Sequence, residues 1–184
     1  MIIWIDGTYG VGKTNVAERL CEKIKDNKVE LINSDFYYND IIPKIAIYGG
    51  GTTPQDNELF LSEFKKIIEQ KLKEEKKTVI IDMAITKEKC KKILFDDFKD
   101  KYNNIFHFIL NASNDNLRKR INNDKKRDKN FAQEHMKENI CFLRNNFEDD
   151  IWIDTNDKNV DEVVDKIIRY IKKKSKINNF SLFI

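Results

Sequence analysis

Residues Gly7-Thr8-Tyr9-Gly10-Val11-Gly12-Lys13-Thr14 meet the spacing G-x-x-x-x-G-K-[ST] at every fixed position. A polyphosphate approaches a main chain closely only where side chains are missing. Gly7, Gly10 and Gly12 therefore fall where a loop must turn tightly and aim its NH groups inward, with Tyr9 and Val11 between them. Lys13 adds a point charge for the β and γ phosphates, and the Thr14 hydroxyl follows where it can hold Mg²⁺. The predicted ligand is a nucleoside triphosphate with Mg²⁺. Both residues open a helix, whose N-terminal dipole favours negative charge at the same spot.

Phosphoryl transfer also needs an acceptor hydroxyl held in line and positive charge around the moving group. Asp35 follows the second apolar run and is placed to orient that hydroxyl and take its proton, although a Ser34-Asp35 pair equally suits a turn or helix cap. Asp82 closes a third apolar run, where a carboxylate holds Mg²⁺ directly or through water, or else satisfies backbone amides. Arg118, Arg120 and Arg127 are half of the six arginines and crowd one lysine-rich region. A lid closing over ATP would use Arg120 and Arg127 as forked phosphate contacts; the alternative is a solvated face. Arg118 and Arg120 point about 200° apart on one helix, so only one of them need face the phosphates. His107 lies in an apolar strand pattern and is expected to be a hydrogen-bonded core residue. His135 is on the lid-side helix, where it could reach substrate, and Phe36, Tyr37, Tyr38 and Tyr48 offer rings near the acceptor end, or plain core packing.

These residues need a frame that brings them together. Met1–Asp6, Lys28–Ile32, Thr78–Asp82, Ile105–Leu110 and Ile151–Thr155 are short apolar runs of strand type. Between them lie amphipathic helical stretches: Asn15–Lys25, a short one in Asn39–Ile47, Gln55–Glu75, one capped by Thr86, one around Asn116–Ile121, and one through Phe131, Met136, Ile140 and Leu143. A final helix spans Val160–Lys174. Strands alternating with helices over short links imply a mainly parallel sheet inside a three-layer α/β domain, residues 1–174, with a helical lid at about 118–135 and a tail at 175–184.

Composition narrows the function classes. The 184 residues carry a net charge of +3 with both signs interspersed, and no basic stripe with interleaved aromatics appears, which argues against a nucleic-acid partner. No apolar run approaches the length of a membrane span, and the first strand leaves no room for a leader; the Lys172-Lys173-Lys174 tail with Phe180, Leu182, Phe183 and Ile184 allows at most weak peripheral contact. Cys21, Cys90 and Cys141 lack metal spacing and are expected as reduced thiols of a cytoplasmic protein. Either a monomer or a homodimer is expected.

The opening Met1–Thr14 resembles that of TmrB-like proteins, the tunicamycin-resistance group of small P-loop ATP-binding proteins. Leu110-Asn111-Ala112-Ser113 with Leu117-Arg118-Lys119-Arg120 is similar to the strand, helix and arginine pattern before that group's lid, and Lys129-Asn130-Phe131 resembles its lid exit. The resemblance implies a nucleoside and nucleotide kinase-like P-loop fold, a five-stranded parallel sheet of order 2-3-1-4-5, and ATP with Mg²⁺. Ser34-Asp35-Phe36-Tyr37 is also similar to the Asp-x-Phe-Tyr stretch of uridine kinases, whose Asp is the base; here Phe36 follows the Asp directly. Two functions are expected to compete. One is a kinase acting on a hydroxyl of a nucleoside-like compound or antibiotic. The other is an ATP-binding protein that sequesters a drug without catalysis.

Overall fold

The computed structural model describes residues 1–24, 29–45, 53–74, 78–125 and 128–177. Five strands, β1 (Ile2–Gly7), β2 (Val29–Asn33), β3 (Thr78–Asp82), β4 (Ile105–Asn111) and β5 (Ile151–Asp154), form one sheet of order β2-β3-β1-β4-β5 with every pairing parallel. This is the expected order. The central β1 is buried along its whole length, as a strand covered on both faces must be. Its side chains alternate between two cores. Ile3 and Ile5 pack with Leu20, Phe108, Val164 and Ile167 on one face, while Ile2 and Trp4 pack with Phe60, Phe64, Ile81 and Phe98 on the other.

Helices α1 (Lys13–Lys23), α6 (Asn114–Asn123) and α8 (Val160–Ile177) send buried residues to the first core. Helix α3 (Glu58–Lys73) covers the second core together with α4 (Glu88–Cys90), a π-helical stretch at Lys91–Asp96 and α5 (Asp97–Lys101). Helix α7 (Lys129–Asn146) contributes Met136 to one core and Leu143 to the other. The three cysteines are free thiols. No helix among the described residues is long and apolar enough to cross a membrane.

Three local expectations change. The chain winds into helix α2 (Ser34–Ile45) directly at the end of β2, whereas the sequence suggests an open segment there and a helix only from Asn39. The cause is Asn33, whose side-chain oxygen accepts the Phe36 NH at 3.0 Å and caps the first turn. Thr86 does not cap the next helix, because Gln55 engages it twice: the Thr86 NH donates to Oε1 at 2.6 Å and the Gln55 amide donates to the hydroxyl at 2.9 Å. Between α4 and α5 the helix widens to π geometry, and Lys91 pairs with Asp96 five residues on, at 2.9 Å. The wider turn brings Cys90, Leu94, Phe95 and Phe98 all into the core that holds Trp4. Most of the Gly49–Pro54 connection lies outside the described residues, as do Tyr48 and the end of the tail.

Candidate nucleotide and acceptor site

The G-x-x-x-x-G-K-T loop joins β1 to α1 at the carboxyl end of the central strand. Gly7 has φ +140, and a Cβ there would meet the Leu110 carbonyl oxygen at 2.7 Å and Val11 Cγ1 at 2.8 Å. Gly12 has φ +97, caps α1 in the left-handed region and faces open space. The two glycines are thus required for different reasons, close packing at Gly7 and backbone conformation at Gly12. Gly7→Ala is expected to cost roughly 3 kcal/mol or more, since strain and overpacking add, and Gly12→Ala about 1–2 kcal/mol from strain alone. Urea unfolding of both variants checks that order.

Lys13 bends back over the loop and donates to the Thr8 carbonyl at 3.3 Å, while the Thr8 hydroxyl donates to the Met136 carbonyl at 3.3 Å. Beneath the loop, Asp6 is fully buried. Its Oδ1 accepts the Gly7 NH at 2.5 Å and the Ile85 NH at 3.1 Å, which ties the start of the loop to the segment after β3. Oδ2 lies 3.0 Å from Nε2 of His107, and Nδ1 of the same ring lies 2.9 Å from Asp150. Burial pushes the His107 imidazolium toward losing its proton, but the bonds to Asp150 and Asp6 outweigh it and hold the pKa above the usual histidine value. His107 is therefore a core residue, as its pattern suggests. The sequence reading misses its partners Asp6 and Asp150. The available signal is a carboxylate and an imidazole within two central apolar runs, where neither type stays buried without a partner.

Two cavities meet at Lys13 and Thr14. The first, of about 110 Å³, is lined by Gly7, Tyr9, Asp35, Asp82, His135 and Asn139 among others. Asp82 is 4% exposed and accepts from the Asn33 amide at 2.6 Å. Burial raises its pKa; Lys13, the nearby Thr14 hydroxyl and Asn33 offset part of that, and the charge of Asp35 adds to it. Asp35 is exposed in the first turn of α2 and opens onto this cavity. Tyr9 packs edge-on to Phe131, with ring centroids 6.0 Å apart.

The second cavity, of about 490 Å³, lies on the other side of the loop, between Gly10–Val16, Arg120, Thr155 and Lys158–Val160. Here Arg120 donates to the Thr155 carbonyl at 2.7 Å and to the Thr155 hydroxyl at 3.0 Å, with a longer contact to the Val11 carbonyl at 3.5 Å. Its guanidinium braces the loop against the end of β5 and forms one wall of the larger cavity. Arg118 is exposed on the opposite side of α6. Arg127 lies outside the described residues. Of the rings that follow β2, Tyr37 and Tyr38 pack against Phe64 and Phe60, while Phe36 is 70% exposed.

The donor set around Lys13 and Thr14 is oxygen-rich and suits a hard cation. Among the described residues no three His, Cys, Asp or Glu side chains gather as a metal site. Magnesium bound through one hydroxyl, one carboxylate and phosphate oxygens needs no such cluster, and Thr14 with Asp82 would fit as those two protein groups.

A parallel sheet of order β2-β3-β1-β4-β5 with this loop at the end of β1 is the P-loop kinase-like fold. The family described as AAA domain matches residues 2–147, and the chain belongs to that family. Among solved structures, the chain is similar to the Deinococcus radiodurans tunicamycin resistance protein at TM-score 0.70 and 21% identity, covering 92% of this chain and 94% of the other. It is similar to a gluconokinase from Sinorhizobium meliloti at TM-score 0.68 and 15% identity, over 97% and 95% of the two chains. A shikimate kinase from Bacteroides thetaiotaomicron follows at TM-score 0.62 and 14% identity, over 94% and 98%. No curated protein sequence matches the chain.

Proposed function

We propose that the protein is an ATP-dependent phosphotransferase of the cytoplasm, moving the γ-phosphoryl group of ATP to a hydroxyl of a small nucleoside-like molecule or antibiotic. The observation that carries this reading is the meeting of two cavities at Lys13 and Thr14, one walled by Arg120 and the other by two carboxylates. The larger cavity suits the nucleoside end of ATP, with its phosphates running inward along the loop amides toward Lys13. Asp35 takes the proton of the acceptor hydroxyl as its oxygen attacks the γ-phosphorus, and the bond to the β,γ-bridging oxygen breaks with release of ADP. Thr14 and Asp82 would hold Mg²⁺, which supplies charge neutralisation for the phosphates. Lys13 stabilises charge on the moving group.

A second reading is favoured by one observation, the likeness to a tunicamycin resistance protein. In it the protein binds ATP and sequesters a nucleoside antibiotic without transfer, and the effect on the cell in either case is resistance. Mass spectrometry of tunicamycin, other antibiotics and nucleosides incubated with ATP, Mg²⁺ and the protein separates the two. A phosphorylated product supports transfer; tight binding with every compound recovered unmodified supports sequestration.

A further inference from the structure

Helix α7 turns four side chains inward, Ala132, Met136, Asn139 and Leu143, at the spacing of an apolar helical stripe. Three are apolar and the fourth is an amide. Asn139 is 6% exposed and lines the smaller cavity, and no hydrogen bond among the described residues engages its side chain. Its polar atoms are open to the cavity. A core stripe interrupted by an amide that has no protein partner among the described residues and faces a cavity is a local rule broken at the place where a ligand can complete the pairing.

One turn earlier stands His135, whose Nδ1–H donates to the Phe131 carbonyl at 2.8 Å. In the neutral ring this leaves Nε2 as a hydrogen-bond acceptor. The rings of Phe131 and His135 stack at 4.1 Å, and both line the cavity. The cations of this cavity have other duties: Lys13 belongs to the phosphate loop, and Lys87 shares its charge with Glu138 at 3.6 Å.

We infer that Asn139, together with His135, reads an uncharged polar edge of the acceptor that presents a hydrogen-bond donor beside an acceptor. The imide of a pyrimidine base and the vicinal diol of a sugar share that chemistry. A carboxylate does not, because it can take only the NH₂ of the amide and would face the amide oxygen with negative charge. This specificity rests on reading the smaller cavity as the acceptor side.

Uridine, 2′,3′-dideoxyuridine, D-ribose, gluconate and shikimate are the probes, tested for binding by calorimetry and for turnover with ATP and Mg²⁺. The proteins are the full chain, Asn139→Leu and Asn139→Asp. A neutral probe should bind, and Asn139→Leu should weaken it about ten- to hundredfold through KM, with ATP affinity unchanged. Retention in dideoxyuridine selects the imide, and retention in ribose selects the diol. Unchanged affinity of Asn139→Leu for the neutral probe overturns the inference. Turnover of gluconate or shikimate alone, with kinetics that Asn139→Leu leaves unchanged, overturns it and leaves the kinase reading standing. Binding of a neutral probe that Asn139→Leu abolishes, with no product from any protein, supports the inference and refutes transfer.

Discussion

Asp35→Asn is expected to lower kcat for phosphoryl transfer by about 10²- to 10⁴-fold while leaving ATP affinity unchanged. That range is the usual contribution of a positioned general base. The substitution keeps the shape of the side chain and removes only its ability to take a proton. Asp35 is exposed in the first turn of α2, so the fold loses little and thermal melting should move by no more than a degree or two. Asp82 lies beside the same cavity but is buried and already accepts the Asn33 amide, so the exposed Asp35 is the more accessible of the two to an acceptor hydroxyl. Steady-state kinetics beside ATP titration checks the split. Full activity in the variant would remove Asp35 from the mechanism.

His107→Leu is expected to destabilise the protein by about 3–5 kcal/mol, the usual cost of removing one partner from a buried ionic group. Asp6 would keep its bonds to the Gly7 and Ile85 amides but lose its counter-charge in a fully buried position. The packing of His107 between Phe95 and Phe147, with centroids at 4.6 and 4.8 Å, would be disturbed as well. The folded-state pKa of His107 is raised, so the sign of the pH effect follows. The stabilisation is fully present below the unfolded value of about 6.5 and is lost as pH rises through the raised folded value. Urea unfolding at a series of pH values from 6 upward should show this decline in the wild type. In His107→Gln, which keeps hydrogen bonding without charge, the same decline should be absent. A wild-type profile that is flat or rises through this window would mean that the ring is neutral in the fold.

Much of the frame is legible in the sequence because parallel strands buried on both faces leave unbroken apolar runs such as Ile2–Ile5 and Val79–Ile81, and because the phosphate loop has few chemical solutions. The site is legible only where a residue's role depends on its place along the chain. Asp82 ends β3 and Asp35 follows two residues after β2, and the order of strands brings them to one cavity with Lys13. Pairings across the chain leave no such trace. Nothing near Arg120 announces Thr155, 35 residues on, as its partner, and nothing near Asp6 announces His107 and Asp150. Asn139 is hidden for a subtler reason: an amide on a long polar helix looks like a solvated residue until the helix is turned and its inward face is known. The π-helical stretch escapes for the same cause, since apolar residues four apart fit an α-helix as well as a wider turn.

Phosphorus-31 NMR of ATP, Mg²⁺ and the protein with a pool of nucleosides and antibiotics tests the central claim most directly. Phosphotransferase activity predicts that the γ-phosphate resonance disappears in step with the growth of ADP and of a phosphomonoester signal that requires an acceptor and is lost in Asp35→Asn. Conversion of ATP to ADP and inorganic phosphate alone, or ATP that stays unchanged while a compound binds tightly, would contradict it.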